Sequence, residues 1–327
     1  MLGYLRAKTL PLYPQFKSLD NIEIIPHKEY IWPGHAYHVV IEYKTIFEDI
    51  KGNKIILPIF CSAHWKEPRI NVYTSLKYLW KHNFNDSKLT IPRPLFYSHQ
   101  FRGIFYEGIE GENLYHFIRE SNKKEIKKMI PKAAKWFAKL HHQTSTETAK
   151  NFNKQNSRIK TVVPGLKHIL SDIEQQYPEY LEFYKKVYNI FIEKEKKFLK
   201  NTDKLYLVHG DAHPENIIKI DNRKIGVIDF TDLCLSDFAR DLGSFTQQLY
   251  YMCHRKISDL NFAEKMTKLF LKKYAKYAKI KIDNNLQERI DNYYDWTMLR
   301  TATFFLIKHN PEPERGKDLI KKLRKKY

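Results

Sequence analysis

Apolar runs rich in β-branched and aromatic residues, broken by single polar positions, mark three early stretches of the chain, Ile22–Ile25, Ala36–Tyr43 and Lys54–Phe60. Enrichment in β-branched residues and the turn signal Lys51-Gly52-Asn53 predict an antiparallel meander. Residues 1–20 follow neither a helical nor a strand period and are read as irregular. The tight loop Trp32-Pro33-Gly34-His35 fits a plain hairpin turn as well as it fits a loop that covers phosphates, because one glycine does not separate the two. From Arg69 to Phe84 the apolar spacing changes to three and four (Ile70, Tyr73, Leu76, Leu79, Trp80), which predicts a helix. Pro92 and Pro94 interrupt that pattern before two further strands, Leu95–Tyr97 and Gly103–Tyr106.

The segment Glu107-Gly108-Ile109-Glu110-Gly111-Glu112-Asn113-Leu114 carries two glycines and is read as a connector. Beyond it the helical period dominates, over Ile126–His142, Leu166–Tyr177, Tyr180–Leu199, Asp237–Tyr251, Phe262–Ala278 and Leu286–Lys308. Pro131 is expected near a helix start or at a kink. The last stretch, Pro311–Tyr327, reads as a basic tail. Strands first and helices afterwards predict an α+β chain of two lobes with a cleft between them: an antiparallel amino-terminal lobe over 1–106 and a mainly helical lobe over 107–327. No internal repeat or low-complexity linker interrupts either half.

One stretch of the helical half breaks the helical pattern. An apolar run, Leu205–Val208, ends on His209-Gly210-Asp211-Ala212-His213-Pro214-Glu215-Asn216, and two short β-branched runs, Ile217–Ile220 and Ile225–Ile228, follow around Asp221-Asn222-Arg223-Lys224. Two such runs about an Asp-Asn turn read as a hairpin, which puts the polar groups on loops at strand ends. Asp211, Asn216 and Asp229 then supply two carboxylates and an amide oxygen, a donor set that suits Mg²⁺ shared with a nucleotide. The spacing of Asp211, Asn216 and the later Asp229 is that of a kinase catalytic loop and its metal aspartate.

Composition narrows the alternatives. The 327 residues are 43% hydrophobic and 14% aromatic, enough to build a core and to argue against disorder. No run approaches the length of a membrane span, and the first fifteen residues lack the apolar core of a secretion signal. Three scattered cysteines without metal-ligand spacing fit a reduced, cytoplasmic protein. A net charge of +20 invites a nucleic-acid reading, but the excess is mostly lysine spread through helices and no nucleic-acid module accompanies it. A solvated lysine-rich surface is the preferred reading, and the same charge would attract an anionic substrate or surface.

With these residues in hand, the chain resembles the aminoglycoside phosphotransferase and choline kinase group, small-molecule kinases of protein-kinase-like fold. The resemblance rests on HGDAHPEN (209–216), VIDF (227–230), DFARDLG (237–243), IEGENL (109–114) and KLH (139–141), and it covers most of the region from Ile104 to Gly243. It implies an ATP- and Mg²⁺-dependent transfer of phosphate to a hydroxyl of a small molecule. Asp211 would be the catalytic base or orienting carboxylate, Asn216 and Asp229 would hold the metal, and Glu107 and Ile109 would offer backbone groups to adenine.

One departure bears on activity. Such kinases place a lysine on the third strand, paired to a glutamate on the next helix; here that strand reads Ile55–Phe60 without a lysine, and the helix near Val72–Leu76 has no glutamate. Lys44, His64, Lys66 and Arg69 are the nearby sources of charge, and a nucleotide-binding pseudokinase acting as a scaffold is the alternative this leaves open. Among the histidines, His209 reads as a loop-shaping residue, His213 as equally structural or functional, and His141-His142 as a helix end without a third metal ligand. Asp241 is expected to brace the catalytic loop, and Cys234 gives no sign of being a nucleophile. The cluster Asp291-Asn292-Tyr293-Tyr294-Asp295-Trp296 fits an ordinary amphipathic helix and, less well, an aromatic-acidic cradle for a cationic acceptor.

Overall fold

A computed structural model of the chain describes residues 1–32, 36–65, 69–85, 88–146, 152–202 and 204–327. Two compact units emerge from its contacts: Met1–Gly111 with Ile218–Thr231, and Glu112–Ile217 with Asp232–Tyr327.

The first unit is built on a five-stranded antiparallel sheet. Its strands are β1 (Phe16–Trp32), β2 (Ala36–Asp49), β3 (Lys54–His64), β5 (Arg93–Ser98) and β6 (Gly103–Glu107), in the spatial order β1-β2-β3-β6-β5. Register follows from burying one face. Along β3 the side chains of Ile59, Cys61 and Ala63 alternate into a core with Leu19, Tyr43, Phe47, Leu95 and Phe105. Strand β1 is far longer than the run Ile22–Ile25 suggests, and it shifts register three times, once at Pro26. A proline without a ladder donor is tolerated there because β1 is an edge strand.

Residues 1–20, expected to be irregular, instead form helix α1 (Leu2–Thr9), a 3₁₀ turn and the start of β1. Helix α1 escapes detection because it buries only Leu5 and Thr9, and the second of these is polar. Thr9 satisfies its hydroxyl on the Leu5 carbonyl at 2.7 Å. Helix α2 (Ile70–Leu79) also departs from expectation, ending in a single π turn, Trp80–Phe84. Asn83, at φ 67°, takes the left-handed conformation that no regular helix accepts. Strand β4 (Leu89–Thr90) pairs in parallel with β10 (Ile225–Val227), beside β9 (Ile217–Lys219), so the expected hairpin is present. Its turn is closed by the Asp221 carboxylate, which accepts the backbone N–H groups of Arg223 and Lys224 at 2.5 and 2.7 Å.

The second unit is helical. After β7 (Glu112–Asn113) come α3 (Leu114–Arg119), α4 (Lys123–Gln143), α5 (Leu166–Gln176), α6 (Leu181–Lys200), α7 (Ala239–Lys256), α8 (Leu260–Ala278), α9 (Asn284–Ile307) and α10 (Pro313–Arg324). Two short strands, β8 (Tyr206–Val208) and β11 (Cys234–Ser236), pair antiparallel among them. Helix α4 begins under an Asn122 cap and buries Met129, Ala133, Ala134, Phe137 and Leu140 along one stripe. Pro131 lies inside this helix, past its first two turns, rather than at its start. The basic tail is not a tail over Pro313–Arg324: helix α10 buries Leu319, Ile320 and Leu323, three apolar positions too sparse among lysines to announce a helix. All three cysteines are buried thiols, and among the described residues no helix is long and apolar enough to cross a membrane.

Candidate active site

The loop His209–Asn216 leaves the end of β8, turns through a 3₁₀ turn at Pro214–Asn216 and enters β9. Its shape is imposed from behind by two adjacent residues of α7. The Asp241 carboxylate accepts the His209 N–H at 2.7 Å on one oxygen and the Gly210 N–H at 2.9 Å on the other. The Arg240 guanidinium donates to the Gly210 carbonyl at 2.9 Å and to the Asn156 carbonyl. Gly210 itself is obligatory: its φ is +86°, and a Cβ there would stand 2.3 Å from the Asp232 carbonyl oxygen.

Asp241 has no exposed surface, so it must be paired to remain charged. Burial pushes its carboxyl up, but the hydrogen bond and charge of His141 and the Gly210 N–H outweigh burial and hold it below the usual carboxylate range. His141 reaches Asp241 with Nε2 at 2.9 Å. A carboxylate only accepts, so Nε2 carries the proton and Nδ1 faces the Tyr274 hydroxyl at 2.8 Å. His142 meets the same hydroxyl at 2.9 Å. The pair His141-His142 therefore has a structural use, as part of a relay of hydrogen bonds that fixes the loop from α4 and α8.

On the front of the loop, Asp211 is half exposed. Desolvation raises its carboxyl, yet His213 beside it, with Arg300 and His209 farther off, holds it well below the usual range and keeps it ionised. His213 sets Nε2 3.4 Å from Asp211 and Nδ1 3.6 Å from Glu215, bridging the two acids. Asn216 is 5% exposed and donates its side-chain N–H to the Asp211 carbonyl at 3.0 Å. That bond uses the nitrogen of the amide, so its oxygen is the atom offered elsewhere.

The remaining expected site residues belong to the first unit. Asp229 is exposed and left-handed, at φ 64°, a conformation costly for a residue with a Cβ. Thr231 fixes it, donating its hydroxyl to Asp229 Oδ1 at 2.9 Å. The same Thr231 hydroxyl accepts from the Arg69 guanidinium at 3.2 Å, and Arg69 reaches His38 Nε2 at 3.2 Å. Arginine only donates, so His38 Nε2 is the unprotonated nitrogen. Burial, then Lys28, Arg69 and His64, push His38 down to about 4. Lys28, on β1, belongs to the same group: burial lowers its ammonium, the charge of Asp229 raises it, and Arg69 lowers it further.

Among the described cations named from the sequence, Arg69 is hydrogen-bonded into this group and only 6% exposed. Lys44 pairs with Glu23 at 3.5 Å on the sheet, His64 stands with its ring 5.0 Å from that of His38, and Lys66 and the loop 33–35 lie outside the described residues. Lys28 carries no signal in the sequence, because it lies far upstream of every kinase-like motif. Glu107 closes β6, its carboxylate accepting from Tyr13 at 2.8 Å, and Gly108 donates its N–H to Pro58 at 2.8 Å. Ile109 packs over Gly226, where a Cβ would come within 2.5 Å of it.

The second unit also holds a pocket of about 560 Å³ in front of Asp211, lined by residues of α7, α9 and α10. The acidic-aromatic cluster of α9 does not line it. Asp295 binds Lys326 at 2.5 Å and Tyr327 at 2.7 Å, Tyr293 donates to Glu195 at 3.0 Å, Asp291 accepts from Gln287 at 2.8 Å, and Trp296 is 1% exposed. The ordinary helical reading of that segment holds, because its large side chains are spent on packing and on the carboxy-terminal residues.

Asn216 in the second unit offers an amide oxygen and Asp229 in the first a carboxylate, each a hard oxygen donor of the kind Mg²⁺ takes. Among the described residues no three of His, Cys, Asp and Glu gather into a metal-binding group. An antiparallel sheet unit, a helical unit and a braced Asp-Asn loop define the α+β fold of the protein-kinase-like phosphotransferases. The chain belongs to the phosphotransferase enzyme family, whose model matches residues 48–266.

Three solved structures are similar to it in fold. The streptomycin–ATP ternary complex of APH(2")-IIa matches at 17% identity and a TM-score of 0.55, over 95% of this chain and 94% of that one. A Plasmodium vivax ethanolamine kinase matches at 17% and 0.55, over 92% and 81%. The choline kinase LicA from Streptococcus pneumoniae matches at 15% and 0.56, over 99% and 97%. No curated protein sequence matches the chain significantly.

Proposed function

We propose that this protein is a cytoplasmic kinase that transfers the γ-phosphoryl group of ATP to a hydroxyl of a small molecule. The observation that carries the reading is the loop His209–Asn216, whose backbone is clamped by Asp241 and Arg240 while the Asp211 carboxylate stays ionised at its front. In the transfer, the acceptor oxygen forms a bond to the γ-phosphorus, the bond from that phosphorus to the β,γ-bridging oxygen breaks, and ADP leaves. Asp211 orients the hydroxyl and takes its proton. Asn216 and Asp229 would hold Mg²⁺, which when bound neutralises phosphate charge. Glu107 and Ile109 would present backbone groups to the adenine edge. Arg69 and Lys28 supply the positive charge that the third strand lacks, which favours an active enzyme over a nucleotide-binding scaffold.

The test is ADP release from purified protein given ATP, Mg²⁺ and a panel of alcohols. Asp211→Asn is expected to lower turnover by about a thousandfold with its thermal unfolding unchanged. Unchanged turnover in that variant removes Asp211 from the chemistry, and no binding of ATP at millimolar concentration removes the kinase reading.

A further inference from the structure

The pocket in front of Asp211 is charged in a way the reaction does not require. Its wall carries five cationic side chains, Arg255, Lys256, Arg300, Lys308 and Arg315, against the acids Asp211, Glu215 and Glu312. Glu312 is shared between Lys308 and Arg315. Arg315 is further held by the Tyr251 hydroxyl at 2.9 Å and lies 3.7 Å over the Phe305 ring. Asp211 and Glu215 are bridged by His213, and Asp211 is committed to the acceptor hydroxyl. Arg255, Lys256 and Arg300 therefore leave the pocket positive.

Part of this charge has an ordinary explanation, since Arg255 and Lys256 end α7, where cations complement the helix dipole. Arg300 does not fit that explanation. It stands two turns before the end of α9, beside the Trp296 ring at 5.0 Å and bonded to the Val163 carbonyl at 3.3 Å. Arg315, in the first turn of α10, sits at the end of a helix that disfavours cations. The acidic side chains of α9 that would welcome a cation are turned away, as described above for Asp291 and Asp295.

We propose that the acceptor is an alcohol bearing an anionic group, a carboxylate or a phosphate, held by Arg300 and the Arg255-Lys256 pair while its hydroxyl meets Asp211. This rests on the kinase reading for the hydroxyl and on the pocket alone for the anion. Choline, a permanently charged quaternary ammonium, and ethanolamine and aminoglycosides, whose amines are protonated at neutral pH, would meet like charge. A guanidinium or ammonium bonded to such an anion is a charge-assisted contact of the stronger kind.

Binding and turnover separate the two claims. Thermal shift and calorimetry with the full chain would be run with gluconate and glycerate as hydroxy acids, glucose 6-phosphate and glycerol 3-phosphate as phosphates, and choline and kanamycin as cations. ADP release would be followed on the same panel. The expected result is that anionic alcohols raise the unfolding temperature and stimulate ADP release, the two anion classes ranking which group the pocket takes, with cations inactive in both. In the double variant Arg255→Gln, Lys256→Gln, the KM of the best anionic acceptor should rise about tenfold or more, the loss of a charge-assisted contact, and Arg255→Lys should restore most of a single Arg255→Gln defect. A purely dipole-stabilising role would lower the unfolding temperature and leave KM where it was, overturning the proposal. Binding or phosphorylation of a cation in preference to every anion also overturns it while leaving the kinase reading intact. Binding of anions without any phosphorylation keeps the pocket assignment and sinks the kinase reading instead.

Discussion

In the proposed reaction the loop His209–Asn216 and the cation group around Arg69 both serve phosphate transfer, but they are built differently. The loop has one short stretch of sequence on its front and one adjacent pair, Arg240-Asp241, behind it, joined by bonds to consecutive backbone atoms. The group in the first unit draws Lys28 from β1, His38 from β2, Arg69 from the residue before α2, and Asp229 and Thr231 from the segment after β10. A backbone loop must be clamped by groups of fixed spacing, so its residues travel together in sequence. A charge needed near a phosphate has only to arrive at one point in space, and a long side chain on any neighbouring strand will serve. The loop is thus rigid and recognisable, whereas the cation group is distributed and open to substitution.

That contrast is sharpest at Asp241. Asp241→Ala leaves two backbone donors and His141 without their buried acceptor, and is expected to cost about 3–5 kcal/mol of stability, read by urea unfolding. A loss of under about 1 kcal/mol would mean that the loop holds its shape without the clamp and would erase the distinction. Arg69→Gln addresses the other side. It should raise the KM for ATP by about tenfold to a hundredfold, the worth of a charged hydrogen bond, while costing less stability than the Asp241 variant. An unchanged KM would move the phosphate-binding role to Lys28 or elsewhere.

The smallest effect is one of pH. His38 has its folded value lowered to about 4, below the unfolded value near 6.5, so its contribution to stability is complete above the unfolded value and is lost as the pH falls from about 6.5 toward about 4. Because the ring is partly exposed, the loss is expected at about 1 kcal/mol after solvent screening. His38→Gln, compared with the unsubstituted chain by urea unfolding at the two ends of that window, should flatten the difference; an equal pH slope in both proteins assigns the effect to another group.

Legibility followed the same division. The strands β2 and β3 and the helices α4 and α6 announce themselves because each buries one face, which imposes a period on the sequence, and the hairpin after Asn216 because two β-branched runs flank an Asp-Asn turn. Helices α1 and α10 stay hidden because they bury only a few side chains, Leu5 and Thr9 in one and Leu319, Ile320 and Leu323 in the other. The Asp-Asn loop was legible because Gly210, the acids and the flanking β-branched runs are all local requirements. Its brace could be expected from Asp241, but the share taken by His141 and Tyr274 came from helices remote in sequence.

Amino-acid order by itself determined the α+β class, the position of the candidate loop and the donor types it offers, since these depend on periodicity and on side-chain chemistry over short spans. Tertiary structure alone decided which cations stand near Asp229, that Asp295 of α9 is buried against the carboxy-terminal residues, and what sign of charge faces Asp211. Those are questions of where long, flexible, widely separated side chains converge, and no spacing along the chain encodes a meeting point in space.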